Sequence, residues 1–284
     1  MIKVAILTCN EIDVNAYNDD NLIIPLLKTQ EIEAVFQVWD DPKVDWSIFD
    51  CVIIRSTWDY TEKIEKFKSF IETLPKSVKL FNSQDIVLNN FNKSYLFELQ
   101  EKGFEIIPSL KTIVSKDTIE EAFKKFECDK VIVKPLIGAG ASGIKVITKD
   151  QLNSSTESIT EEIIQPFQES ISTEGEISLI FFNDNFSHAI LKVPKKNDFR
   201  SQEEFGSKVT AFTPDFQTIN YSKDVLESIT TDSLFARVDL LKNDKGEWRY
   251  VGEVELIEPA LYLSFDEDSP KRFCDAIVKR LKSE

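Results

Sequence analysis

Two stretches decide how this chain is read: Phe235-Ala-Arg-Val-Asp-Leu-Leu241 and Glu247-Trp-Arg-Tyr-Val-Gly-Glu-Val-Glu-Leu-Ile-Glu-Pro259, joined by Lys-Asn-Asp-Lys-Gly at 242–246. Both alternate apolar with polar residues, and the joining segment is rich in turn formers, so the spacing predicts a β-hairpin. Alternate residues of a strand share a face, which puts Arg237 with Asp239 and Glu253 with Glu255. With the turn centred near Asp244–Lys245, Arg237 falls opposite Glu253 and Asp239 lies diagonal to it. Val251 and Ile257 then share that face, while Trp248 and Tyr250 take the other. One face thus collects three carboxylates and a guanidinium. Carboxylates that close raise one another's pKa unless a cation holds them. An oxygen-only donor set suits Mg²⁺. The plain alternative is a solvated polar face on an edge hairpin.

Upstream lie features suited to phosphate. Lys134 ends the apolar strand Val-Ile-Val-Lys-Pro135, and the run Gly138-Ala-Gly140-Ala-Ser142-Gly143 follows. Glycines permit backbone turns that aim successive N–H groups at one anion, and a lysine adds a point charge. The lysine precedes the glycines and a strand (144–148) follows them, so this is not the GxxxxGK[ST] loop. A glycine-rich hairpin turn is the alternative, though the chain holds only 8 Gly and three fall within these six residues. Lys93 opens a helix expected over Asn92–Lys102, and Lys192 and Arg200 flank a loop in Leu-Lys-Val-Pro-Lys-Lys-Asn-Asp-Phe-Arg200. For all three, solvated charges are the alternative.

The first eighty residues read as strand (Ile2–Thr8), helix (21–30), strand (34–39), strand (Cys51–Ser56) and helix (64–74). That order gives a Rossmann-like open parallel sheet. There is no GxGxxG, hence no dinucleotide signature. Further on, strands 176–182 and 186–193 flank the turn Asn183-Asp184-Asn185, and Pro270–Lys282 has the spacing of an amphipathic helix.

A net charge of −15 excludes general nucleic-acid binding, which rests on Lys and Arg neutralising phosphates. No apolar run is long enough to span a bilayer, and the N-terminus has no signal-peptide pattern, so a cytoplasmic location is expected. The four cysteines show no CxxC spacing and read as reduced thiols. His188 is the sole histidine, which removes multi-His zinc sites and leaves carboxylates, Lys, Arg and a bound cation to do the chemistry.

Taken in order, Lys93, the VIVKP strand with its glycine-rich loop, Gln165-Pro-Phe167, Gly175-Glu176, Arg237-Val-Asp239 and Glu253-Val-Glu255 resemble the ATP-grasp superfamily over about residues 89–284. Arg55-Ser-Thr-Trp-Asp-Tyr60 and Glu255-Leu-Ile-Glu-Pro-Ala-Leu-Tyr262 resemble the group that includes the cyclo-ligase forming D-cycloserine. The resemblance implies an α/β and α+β protein: a Rossmann-like substrate domain over 1–88, a small ATP-grasp subdomain over 89–165 and a C-terminal subdomain with the metal site over 166–284. It implies ATP and Mg²⁺ as cofactors. Lys93 and Lys134 would hold the α- and β-phosphates, and Gly138, Gly140, Ser142 and Gly143 would cover the β- and γ-phosphates. The backbone of Gln165–Phe167 would meet adenine, Glu176 would take the ribose hydroxyls, and Lys192 belongs with the nucleotide side. Asp239, Glu253 and Glu255 match metal ligands, although many relatives carry Asn where Glu255 stands.

Arg237 matches an arginine that stabilises a charged intermediate. Arg55 and Arg200 are candidates for a substrate carboxylate or the transferred phosphate, and Trp58, Asp59 and Tyr60 for the wall of an acceptor pocket. The implied activity is ligation of a small-molecule carboxylate to an amine, between molecules or within one, with release of ADP and phosphate. A kinase on the same scaffold and a non-catalytic ATP-binding protein are the rivals. The implied partners are small molecules, with neither nucleic acid nor membrane, and monomer and homodimer are both open.

Overall fold

The N-terminal apolar run is the central strand of a parallel sheet in a computed structural model, which describes residues 1–10, 19–138, 143–152, 157–196, 198, 200–201 and 206–283. Strand β1 (Ile2–Thr8) is followed by α1 (Ile23–Thr29), β2 (Ile32–Val38), β3 (Cys51–Ser56), α2 (Ile64–Thr73) and β4 (Lys79–Phe81). All pair in parallel in the order β2-β1-β3-β4. Every residue of β3 is buried, as an uninterrupted apolar strand covered on both faces requires.

Two short helices come next, α3 (Gln84–Asn90) and α4 (Tyr95–Glu101). The helix expected from Asn92 starts only at Tyr95, because the Asn92 side chain accepts the Ser94 N–H at 2.9 Å and sets a turn there. Lys93 sits in that turn. A second sheet, antiparallel and ordered β5-β8-β6-β7, comprises β5 (Leu110–Ile113), β6 (Lys130–Pro135), β7 (Lys145–Thr148) and β8 (Glu161–Pro166), covered by α5 (Lys116–Lys125). After α6 (Glu169–Thr173), a third sheet runs β11-β10-β9-β12-β13. Its strands are β9 (Glu176–Phe182), β10 (Asn185–Val193), β11 (Lys208–Phe212), β12 (Phe235–Lys242) and β13 (Trp248–Glu255), with α7 (Phe216–Ile229) between β11 and β12 and α8 (Ser269–Ser283) closing the chain. The β9–β10 turn holds Asn183 and Asp184 at φ 46° and 58°, left-handed angles that Asn and Asp tolerate best after Gly. No described helix is long and apolar enough to cross a membrane.

The first and third sheets share one core. Val4, Ile6, Ile53 and Phe81 pack with Phe182, Ile190 and Phe235, with α1 and α8 closing over them. Asn82 stitches this seam: its Nδ2 donates to Phe235 O at 2.9 Å and Leu256 O at 2.8 Å, and its Oδ1 accepts Leu234 N–H at 2.6 Å. Asn82→Ala orphans three buried backbone groups. The expected loss is roughly 3 kcal/mol or more, read as a lower urea midpoint at unchanged slope.

Candidate active site

Strands β12 and β13 pair with Asp239 facing Glu253 and Arg237 facing Glu255. The pairing read from the sequence, Arg237 opposite Glu253, is off by two residues. The register shifts twice, leaving Gly252 and Arg249 as extra residues in β13. Each shift alone would reverse the faces, and together they restore them, so Arg237, Asp239, Glu253 and Glu255 do share one face. Between the shifts the faces are reversed. Val251 therefore packs with Val238, Leu240 and Val254 under the opposite face, and Tyr250 packs with Leu241, contrary to the sequence reading. At the first bulge a Cβ on Gly252 would lie 2.8 Å from Leu241 Cδ1, so a larger residue there would have to displace the end of that side chain.

The acids on this face are held by cations. Asp239 takes Arg237 Nε and Nη2 at 3.0 Å each, Lys192 Nζ at 3.4 Å and the Ser178 hydroxyl at 2.5 Å. Arg237 also pairs with Glu255, Lys192 also pairs with Glu176, and Lys93 Nζ lies 2.6 Å from Glu253. Lys192 is buried, so it is an internal cation rather than a solvated one. Its neighbour in space, Gly175, has φ 84°, and a Cβ there would fall 2.3 Å from Lys192 O. Glycine is what lets the backbone before Glu176 approach Lys192 this closely.

The electrostatics follow from this crowding. Burial pushes the Asp239 carboxyl up, but Arg237 and Lys192 outweigh it and hold it at about 2. Burial likewise raises Glu255, Arg237 only partly offsets this, and Glu253 and Asp239 repel it, leaving it at about 7. Glu253 is lowered, since Lys93 and Lys134 overcome its burial. Among the described residues no three such groups converge on one ready-made cation position. The donor chemistry nevertheless fits Mg²⁺. The set is all hard oxygen, Asp239 and Glu253 face each other directly, and Glu253 and Glu255 keep side-chain exposures of 30% and 26% through which a solvated ion can reach them.

Lys134 and Lys93 close the other side. Burial drives Lys134 down to about 8, with Glu253 the strongest attraction opposing it and Lys93 repelling it. Lys93 donates its backbone N–H to Leu136 O at 2.8 Å and its Nζ to Gly138 O at 2.5 Å, fastening the start of the glycine-rich loop. Gly143 ends that loop at φ 75°. Gly140 and Ser142 lie outside the described residues. A lysine at about 8 loses its charge just above neutrality. With Lys134 on the polyphosphate, as the sequence resemblance implies, ATP affinity should fall by up to about tenfold per pH unit above pH 8, and Lys134→Arg should flatten that profile in a calorimetric titration.

The remaining predicted residues are placed as follows. Gln165 is buried in β8, its Nε2 donating to Ser109 Oγ at 2.9 Å; Phe167 donates its N–H to Lys130 O at 3.0 Å and stacks under the Lys130 ammonium. Arg200 forms a two-point pair with Asp198 at 3.0 and 2.8 Å. Arg55 lies in the shared core, 3% exposed, paired with Asp20 at 2.9 Å and packed over Phe235. Asp59 accepts from Trp39 Nε1 at 2.7 Å and Lys63 at 2.6 Å, while Trp58 is 43% exposed.

Residues 258–262, just past β13, join these groups to the carboxylate face. Trp58 Nε1 donates to Glu258 O (3.2 Å), Arg55 Nη2 to Pro259 O (2.8 Å) and Arg237 Nη1 to Ala260 O (3.3 Å). His188 Nε2 donates to Leu261 O (2.9 Å) and Tyr262 O (3.2 Å). These carbonyls fix the tautomer with the proton on Nε2, leaving Nδ1 to accept the Ser187 hydroxyl at 2.9 Å. Five consecutive carbonyls gripped by four side chains make a rigid strap. It holds Tyr262 at φ 51°, an uncommon angle for a bulky residue, with its ring 6.0 Å from the Arg237 guanidinium. Glu258 and Tyr262 are therefore site residues that the sequence reading did not single out. The available signal was a lone acid inside the otherwise apolar Leu256–Tyr262 stretch.

Family comparison settles the class. A model of the prokaryotic glutathione synthetase ATP-grasp domain matches residues 98–252, more than half the chain. The chain belongs to the ATP-grasp family. It is, accordingly, an ATP-dependent carboxylate–amine ligase. A second model, the N-terminal domain of D-cycloserine synthetase DcsG, matches residues 4–82. Among relatives, the cycloserine biosynthesis protein DcsG of Streptomyces lavendulae is 29% identical, over 91% of this chain and 93% of its own. A glutathione synthetase of Agrobacterium fabrum is 25% identical over 61% of this chain and 54% of its own. The crystal structure of D-cycloserine synthetase DcsG superposes with a TM-score of 0.84 at 25% identity, covering 99% of this chain and all of that one. ATP-grasp ligase PsnB, in a complex with Mg and ADP, shares the fold at a TM-score of 0.69 and 14% identity, with 98% of each chain covered.

Proposed function

We propose that this ATP-grasp ligase holds MgATP between β6 and β13 and uses it to close an amide bond within, or between, small amino-acid-like substrates. The observation that carries the reading is Lys93. Its single ammonium touches both the carbonyl of Gly138 in the glycine-rich loop and the carboxylate of Glu253, which supports a single site for the phosphates and the metal. Glu176, Asp239, Glu253 and Glu255 are matched by Lys93, Lys134, Lys192 and Arg237, so the ligand-free face is nearly self-neutralised. MgATP supplies both signs at once. The lysines exchange carboxylate for phosphate, and the acids exchange ammonium for the metal.

In this reading Asp239, Glu253 and Glu255 hold Mg²⁺, which when bound offsets the charge of the phosphate oxygens. Lys93 and Lys134 orient the polyphosphate. Transfer of the γ-phosphoryl group to the substrate carboxylate gives an acyl phosphate and ADP. The amine lone pair then attacks the carbonyl carbon, the C–N bond forms, the bond to the phosphate oxygen breaks and phosphate leaves. Arg237, fixed by two acids and Ala260 O, presents preorganised N–H donors to the oxyanion. The likeness to D-cycloserine synthetase along nearly the whole chain favours a cyclising use of this chemistry.

The test is ADP release with Mg²⁺ over a panel of amino acids, with hydroxylamine added to trap acyl phosphates and ³¹P NMR to follow phosphorus. ADP and inorganic phosphate in equal amounts, with hydroxamate in the trapped reactions, is the expected result. A stable phosphorylated product would make the protein a kinase, and no turnover with any carboxylate would leave only ATP binding.

A further inference from the structure

Glu258 is 6% exposed, and among the described residues no lysine, arginine or histidine pairs with it. Every neighbouring buried acid is compensated: Asp20 by Arg55, Asp59 by Lys63, Asp239 by Arg237 and Glu176 by Lys192. Among the described residues, the Tyr60 hydroxyl and the Lys93 ammonium ease the burial of the Glu258 carboxyl without an ion pair. A carboxylate taken out of water without a cation is strongly disfavoured, and folds keep one where a ligand supplies the missing charge. Its backbone is fixed, since the carbonyls of Glu258 and Pro259 are held by Trp58 and Arg55. The same Arg55–Tyr60 segment carries two more buried polar atoms without a hydrogen-bond partner, Arg55 Nη1 and Thr57 Oγ1. A buried acid with no paired cation suits a polar ligand bearing a positive charge.

We infer that Glu258, with Tyr60, binds the ammonium group of a zwitterionic substrate, so that the site selects amino acids over carboxylic acids lacking an amino group. This rests on the ligase reading of the adjacent carboxylate face, which engages the other end of the same molecule. Arg237 holds both Glu255 and the carbonyl of Ala260, two residues past Glu258, so the two subsites are within the reach of one small molecule. Burial and the nearby Glu255 lift the Glu258 carboxyl to about 8, the behaviour of an acid waiting for a cation.

The test uses calorimetry on the full chain loaded with MgADP. The probes are D-cycloserine, whose ring carries an ammonium, isoxazolidin-3-one, the same ring without it, and the amino acids of the turnover panel beside their desamino counterparts. The wild type should prefer the ammonium-bearing member of at least one pair by roughly 10- to 100-fold. Glu258→Gln should abolish that preference, Glu258→Asp should restore part of it, and MgADP affinity reports on the fold. Should Glu258→Gln fail to fold, Tyr60→Phe should still reduce the preference severalfold. A wild type that prefers no ammonium-bearing probe, or variants that keep the preference, would overturn the inference. Turnover on acids lacking an amino group would sink this subsite and leave the ligase reading standing. Preserved, Glu258-dependent ammonium binding with no turnover on any acid would do the reverse.

Discussion

Arg237→Leu should reduce ADP release by roughly 100-fold or more at saturating MgATP, because the substitution removes the donors proposed for the oxyanion. It should also lower folding stability by about 3–5 kcal/mol, since Asp239 and Glu255 lose the guanidinium that both share. Stability and turnover must therefore be measured on the same sample, at a temperature where the variant stays folded. Arg237→Lys separates the two effects. It keeps one charge in the buried network but cannot serve two acids and Ala260 O together. Substantial recovery of stability with little recovery of kcat is expected. Equal recovery of both would make Arg237 a structural residue.

Asp239→Asn is the second large effect. Asp239 is held at about 2 by Arg237 and Lys192 despite its burial. It stays a full anion at any working pH, and losing it should lower turnover more than roughly 100-fold without recovery at raised Mg²⁺. Glu255, at about 7, carries only part of its charge in the ligand-free protein, so Glu255→Gln should be milder. The pH dependence carries the same signature. A carboxyl depressed from its unfolded value to about 2 contributes stability above pH ~4 that is lost as pH falls through 2. In wild type this amounts to roughly 2 kcal/mol, and the Asn variant should lack that portion of its acid-unfolding profile.

Period-two alternation was enough to place Arg237, Asp239, Glu253 and Glu255 on one face, and continuous apolar runs were enough for β1 and β3. Which residue faces which was not legible. Register in β13 depends on two extra residues, and a bulge at Gly252 shows in sequence only as one glycine in a strand. The same blindness put Val251 on the wrong face. A solvated charge stayed open as the alternative for Lys192 because nothing local signals burial; its partners, Glu176 and Asp239, come from two other strands. The strap at 258–262 was hidden for a related reason. Its five carbonyls are held by Arg55, Trp58, His188 and Arg237, residues scattered across the chain, and backbone acceptors leave no trace in a sequence.

One face of the β12–β13 hairpin and the lysines at 93 and 134 are proposed to grip MgATP together. A crystal structure of the protein soaked with Mg²⁺ and a non-hydrolysable ATP analogue tests this most directly. Oxygens of Asp239, Glu253 and Glu255 should lie about 2.1 Å from the metal, with the Lys93 ammonium moved from Glu253 onto a phosphate. A nucleotide bound elsewhere, with the Lys93–Glu253 and Arg237–Glu255 pairs intact, would contradict the account.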